Sequence, residues 1–234
     1  PLTSNQRYQY VSLWSIVCAP FFFSADINEI KVLGGYDEAY EVIRAGQILF
    51  SKVENAPKPV IAAINGYCLG GGCELAMACH VRVATSNAVF GQPEVKLGLI
   101  PGYAGTQRLP RLTGAQKALE MITSGEFVGA KDALALGIVD AVDEGGDARA
   151  AGLVFAQKIA DEGKPVRRVR DVTDKIEAEK GSDVFSQFRA GLEKKARGLF
   201  SPFKCVDAVE AAFNLPFDEG MKRERELFME CMES

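Results

Sequence analysis

The chain has a single histidine, His80, no CxxC pair, no apolar run of transmembrane length and no excess of positive charge. One histidine excludes a multi-histidine metal site. It also argues against a Ser-His-Asp triad, because His80 follows an apolar helical stretch rather than a nucleophile elbow; a structural role is expected. The six cysteines, Cys18, Cys68, Cys73, Cys79, Cys205 and Cys231, have neither metal-site nor redox-motif spacing and read as small buried hydrophobes in a reducing compartment. A net charge of −4 leaves no basic field to displace counterions, so no nucleic-acid partner is expected. Without a long apolar run or a signal pattern, the reading is a cytoplasmic protein with no membrane partner. There is no internal repeat and no low-complexity tract.

What is present is an ordinary globular composition, 47% hydrophobic and 25% charged over 234 residues, enough for a full core. A strand is expected at 11–18 and helix-rich chain over 27–54, interrupted by Gly34-Gly35. Pro57 and Pro59 break the chain. The β-branched run 60–64 suits a strand buried on both faces. Asn65-Gly66 turns it, and Gly70-Gly71-Gly72 leads into a helix over 73–79. Short strands are expected at 81–84 and 88–90, helices at 113–123 and 130–136, and a strand at 138–142. Strands alternating with helices indicate an α/β core, assigned to 1–145. From 146 to 234 only helices are expected: one at 148–162, then three marked by Val184, Phe185, Phe188, Leu192, Ala196 and Leu199, by Val206, Val209, Ala212 and Phe213, and by Leu227, Phe228, Cys231 and Met232. The stretch 164–174, with Arg167, Arg168 and Arg170, reads as a solvated connector.

Two glutamates carry the chemistry. Glu74 follows the glycine run, where a helix start leaves N–H groups unpaired and partly positive, a place for developing negative charge. Tight packing alone would also explain three glycines, and a helix-start glutamate on the surface would explain Glu74. The run matches neither a P-loop nor GxGxxG. Glu94 follows Pro93 and precedes Gly98, Pro101, Gly102 and Gly105, punctuation that fixes a loop. Two carboxyls in one semi-apolar cleft push their pKa values apart, so one can hold a proton while the other accepts one. Such a pair can activate a water and protonate a carbon beside a carbonyl.

The stretches Asn65-Gly-Tyr-Cys-Leu-Gly-Gly-Gly-Cys-Glu-Leu-Ala-Met77, Phe90-Gly-Gln-Pro-Glu94 and Gly105-Thr-Gln-Arg-Leu-Pro110 together resemble the enoyl-CoA hydratase/isomerase (crotonase) superfamily over about residues 11–145. The tail resembles the segment after the hydratase part of multifunctional fatty-acid oxidation proteins. The resemblance implies a crotonase (ClpP/crotonase-like) spiral of ββα units with a C-terminal helical region. It implies hydration of trans-2-enoyl-CoA thioesters in β-oxidation, with δ3-δ2-enoyl-CoA isomerisation as a second activity; a non-catalytic protein binding CoA esters or a partner is the alternative. Glu74 and Glu94 are then the catalytic residues, with the N–H groups of Ala25 and Gly71 as oxyanion hole and Gly102 orienting the water. Ser24, Asp26, Ile27 and Gly70 line the substrate. No metal or separate cofactor is implied, coenzyme A being part of the substrate, and the expected assembly is a trimer or hexamer. Tyr103-Ala104 stands where the family has a small-glycine pair, placing a ring near the water site. Ser24 stands where it has glycine, and the N-terminus reads as shortened, since two or more strands normally precede the position of Ala25.

Overall fold

The computed structural model describes residues 11–16, 35–163 and 167–234. Two sheets form the frame. In the first, β1 (Val11–Ile16), β2 (Val60–Ile64), β4 (Val81–Thr85) and β7 (Ala141–Asp143) lie in that order, all parallel. In the second, β3 (Tyr67–Leu69) pairs parallel with β5 (Val89–Gly91), which pairs antiparallel with β6 (Val128–Gly129). From β2 to β5 successive strands alternate between the sheets. Thus β2 and β3 precede α2 (Gly71–Ala78), while β4 and β5 precede α3 (Gly105–Thr113) and α4 (Ala115–Ser124). Next come α5 (Ala130–Leu136) after β6 and α6 (Ala148–Glu162) after β7. This is a spiral of ββα units with helices after it, the expected class.

Every residue of β2 is buried, as expected for a parallel strand covered on both faces. One cover is α6, whose Ala156 joins Ile61 and Val83 in a small cluster. A methyl at Gly152 would come within 3.3 Å of the Ala63 side chain, so glycine lets this helix lie close to the strand. The other cover is the main core. Preceding β2, α1 (Tyr36–Glu54) buries Ala39, Ile43, Gln47, Phe50 and Glu54, a stripe at helical spacing that includes two polar residues.

After α6 the chain runs through α7 (Asp174–Glu179), α8 (Val184–Lys195), α9 (Ser201–Asn214) and α10 (Phe217–Met232). These helices share the main core: Cys205, Val206, Phe213, Leu227 and Phe228 cluster with Ile100, Leu112 and Ile122. Full burial of each such apolar side chain contributes about 1.5–3 kcal/mol. At Gly220 a methyl would approach Gln107 Oε1 to 2.1 Å, so α10 sits hard against α3.

Several boundaries move. Instead of one helix at 113–123 there are two, α3 and α4, divided at Gly114, whose φ of 85° breaks the helical path. Gly105, the last of the residues expected to punctuate the loop, already opens α3, and Pro110 sits inside that helix. The glycine run belongs to α2, which starts at Gly71 rather than Cys73. The last strand is Ala141–Asp143, not 138–142. The expected solvated connector is anchored over its described part: Val169 is buried, the Arg170 N–H donates to Glu54 Oε1 at 2.9 Å, and the Arg170 guanidinium stacks on Phe217. Helical chain expected at 27–34 lies outside the described residues, as do residues 17 and 18 of the first strand.

His80 is structural, as expected. Its Nδ1 accepts from the Val60 N–H at 2.8 Å, so Nε2 carries the proton and donates to the Glu54 carbonyl at 2.9 Å. Burial lowers its pKa, which keeps this neutral form. The cysteines at 68, 73, 79, 205 and 231 are free and buried. No helix among the described residues is long and apolar enough to cross a membrane.

Candidate active site

The site is built where β3 and β5 hand the chain to α2 and α3. Gly70, with φ of 55°, ends β3 and caps α2; its N–H donates to the Gly91 carbonyl at 2.9 Å. The left-handed φ there favours glycine, and a side chain would also meet Glu94, since a methyl at Gly70 would lie 3.1 Å from Glu94 Oε1. Thus the Glu94 carboxyl lies directly over the start of α2. Helix geometry leaves the Gly71, Gly72 and Cys73 amides without an intrahelical acceptor, which makes this end partly positive.

Glu74, one turn into α2, is 1% exposed, which overturns the surface reading of this residue. Its Oε1 accepts two backbone N–H groups, from Tyr103 at 2.8 Å and Gly105 at 2.7 Å. The donors come from the turn entering α3, where Ala104 takes the left-handed conformation with φ of 70°. Successive amides around such a turn make an anion-binding concavity.

Electrostatics link the two acids. Burial raises the Glu74 carboxyl well above its ordinary value, the Glu94 and Glu224 carboxylates raise it further, and the Tyr103 and Gly105 amides oppose them. Glu94 sits on the first turn of a 3₁₀ segment, Glu94–Leu97, and desolvation pushes it up to about 8. Glu94 keeps some surface accessible whereas Glu74 does not, so Glu94 is the more open member of the pair. Both expected catalytic carboxyls therefore lie in one poorly solvated region, the Glu94 charge resisting ionisation of Glu74.

Two further residues belong to this region. Gln92 is fully buried, and with its amide NH₂ turned toward Glu94 it donates to Oε1 at 3.0 Å and Oε2 at 3.2 Å. The opposite amide orientation sets its oxygen against the carboxylate, which is why the NH₂ is assigned there. Glu224, fully buried on α10, accepts from the Ala104 and Thr106 N–H groups, the Thr106 hydroxyl and the Gln47 amide at 2.6–3.1 Å. Sequence reasoning passed over both. Glu224 carried a signal: it lies three and four residues before Leu227 and Phe228, a polar residue on the apolar stripe of its helix.

Residues 4–197 match the enoyl-CoA hydratase/isomerase family profile. The chain belongs to the enoyl-CoA hydratase/isomerase family. It is 48% identical over 182 residues to a peroxisomal bifunctional enzyme of Danio rerio, covering 76% of this chain and 24% of that one. Against a probable enoyl-CoA hydratase of Bacillus subtilis (strain 168) it is 51% identical over 144 residues, covering 58% and 56%. The crystal structure of an enoyl-CoA hydratase from Bacillus anthracis superposes with a TM-score of 0.54 at 27% identity, covering 90% of this chain and 67% of that one. The chain spans between about a quarter and somewhat over half of these curated relatives.

Within this crotonase frame the other expected site residues fall as follows. Gly71 is the first residue of α2, following Gly70, whose Cβ position lies against the Glu94 carboxyl. Gly102 lies in the loop before α3, where its carbonyl accepts from Gln47 at 3.1 Å. A methyl there would meet Phe228 at 3.1 Å. Ser24, Ala25, Asp26 and Ile27 lie outside the described residues. The Tyr103 ring packs on α1, edge to face with Phe50 at 5.2 Å and against Gly46, where a methyl would reach the ring at 2.2 Å. Two surface grooves, of about 470 and 710 Å³, lie elsewhere: one between α1 and α10, the other between α4 and α8. Among the described residues, no cluster of His, Cys, Asp and Glu could hold a metal ion.

Proposed function

We propose that this chain hydrates trans-2-enoyl-CoA thioesters in fatty-acid β-oxidation, with interconversion of δ3- and δ2-enoyl-CoA as a second activity. The observation that carries this reading is the two-amide grip on Glu74 beside a Glu94 carboxyl lifted to about 8. Glu74 is held in a fixed orientation while its second oxygen remains to hold a water. That water's oxygen bonds to the β-carbon as its proton passes to a carboxylate, and the Glu94 carboxylic acid gives its proton to the α-carbon. Atoms and charge balance without a redox partner, so no separate cofactor enters the reaction. For isomerisation Glu94 alone would carry a proton from one carbon to the other.

Negative charge develops on the thioester oxygen in either reaction. We assign its stabilisation to the N–H groups of Ala25 and Gly71, a donor of this kind being worth about 2.7–4 kcal/mol. Gly70, with Ser24, Asp26 and Ile27, would line the acyl-CoA substrate, and Gly102 would help orient the water. The reading includes a cytoplasmic protein assembled as a trimer or hexamer, with a catalytic core over 1–145 and a helical region over 146–234. Purified protein mixed with crotonyl-CoA tests it: the enoyl-thioester absorbance should fall as the double bond is hydrated. A stable absorbance with folded protein would sink hydration and leave the protein that binds CoA esters without turnover.

A further inference from the structure

Four consecutive amides, those of residues 103–106, are divided between two buried carboxylates. The Tyr103 and Gly105 N–H groups point to Glu74 at 2.8 and 2.7 Å. Those of Ala104 and Thr106 point the other way, to Glu224, at 2.6 and 3.0 Å. We propose that Glu224, from the C-terminal helix α10, is a positioning residue for the reaction: by fixing the amides of Ala104 and Thr106 it orients the interleaved amides that hold Glu74. This rests on the hydratase reading for its link to catalysis and on geometry alone for its link to Glu74.

The contacts of Glu224 suit this task and no other in view. Among the described residues four hydrogen bonds are donated to it, two at each oxygen: Ala104 N–H and the Gln47 amide at Oε1, Thr106 N–H and hydroxyl at Oε2. Only a carboxylate accepts at both ends; a glutamine would turn its NH₂ toward one of the two backbone N–H groups. Gln47 fastens the same point from α1, its amide also reaching the Gly102 and Met221 carbonyls at 3.1 and 3.0 Å, while its oxygen accepts from Arg225 at 2.8 Å. Phe228, one turn on from Glu224, closes the back of Gly102. Burying a carboxylate with no directly bonded cation among the described residues is costly, and such a cost persists where its donors must be held in place.

Like charge adds a second effect. The Glu224 carboxylate raises both Glu74 and Glu94, and the Arg225 guanidinium is joined to it through Gln47. Removing that charge should move the pH profile of hydration to lower pH, a change that simple loosening of the fold does not produce.

The test is Glu224→Gln in the full chain, read by crotonyl-CoA hydration and by hydrogen exchange at the backbone amides. Expected are a kcat at least tenfold lower with KM changed less than about threefold and a pH profile displaced to lower pH. At Tyr103 and Gly105, which Glu224 does not touch, exchange protection should fall at least tenfold. Should Glu224→Gln fail to fold, Thr106→Val removes only the hydroxyl donor, and should lower kcat about threefold and loosen the same two amides. Folded Glu224→Gln, or in its place Thr106→Val, with protection at Tyr103 and Gly105 unchanged overturns the proposal. A wild-type protein inactive on crotonyl-CoA overturns the hydratase reading instead, and the exchange measurement still decides the role of Glu224.

Discussion

Glu74 Oε1 and the Gly105 amide are 2.7 Å apart, and a methyl built on Gly105 would occupy the same 2.7 Å from that oxygen. It would also crowd Pro101 at 2.9 Å and the Gln92 amide at 3.0 Å. Glycine is therefore required here for space rather than for an unusual dihedral. Gly105→Ala should cost about 1–3 kcal/mol by overpacking, and hydration should fall because the carboxylate is displaced. Gly129→Ala, where a methyl meets nothing within 4 Å, serves as the control and should leave both unchanged. Thermal midpoints and kcat of the two variants decide it; equal behaviour would remove the steric argument.

Replacing either acid by its amide keeps volume and removes proton transfer. In Glu74→Gln the remaining carbonyl oxygen can still accept from Tyr103 and Gly105, so the fold should hold. Loss of a general acid or base lowers rate by about 10²–10⁴-fold, and that range is expected for hydration in both Glu74→Gln and Glu94→Gln. Isomerisation should survive Glu74→Gln and vanish in Glu94→Gln. Hydration intact in Glu74→Gln would remove the assignment of the pair.

Motifs and punctuation made Glu74, Glu94 and the glycine run legible because those features are local. What remained hidden was long-range. No helix is expected over 105–112, where Gly105 and Pro110 are helix breakers in isolation. Yet α3 forms there, with Leu109 and Leu112 buried in the core and Glu224 accepting the Thr106 N–H in its first turn. Arg170 read as solvated because nothing near it in sequence says that Glu54, 116 positions earlier, needs its N–H. Gln47, Glu54 and Glu224 share one recoverable signature: each is a polar residue at an apolar-stripe position of its helix, which calls for a buried partner before a surface one.

Glu54 and Arg108 test that signature energetically. Both side chains are fully buried, with Arg108 Nη2 2.8 Å from Glu54 Oε2. Arg108 also donates to the Tyr103 carbonyl at 3.0 Å, tying the pair to the turn that holds Glu74. Removing one member of such a pair leaves the other charge uncompensated, so Glu54→Ala should cost about 3–5 kcal/mol. Arg44→Ala, which breaks the exposed pair with Glu41, should cost about 0–1 kcal/mol. Denaturant midpoints measure both, and a Glu54→Ala loss no larger than that of Arg44→Ala would show the buried pair to be dispensable.

The three carboxyls give the stability of the protein an unusual pH dependence. Glu94 is raised from 4.5 to about 8 and Glu224 to about 7, both chiefly by desolvation, and Glu74 moves the same way. Between these values and 4.5 the folded protein binds more protons than the unfolded chain, so unfolding releases protons and is favoured as pH rises. This contribution to stability is fully present below about 4.5 and lost as pH climbs through about 7–8, opposite in sign to that of a salt-bridged carboxylate. The thermal midpoint should therefore fall from about pH 5 to pH 8. Glu94→Gln, which cannot ionise, should flatten the slope. A midpoint that stays level or rises across this window, or a Glu94→Gln slope matching wild type, would mean that these carboxyls ionise freely in the fold; the Glu94 acid assigned to protonate the α-carbon would then be absent at neutral pH.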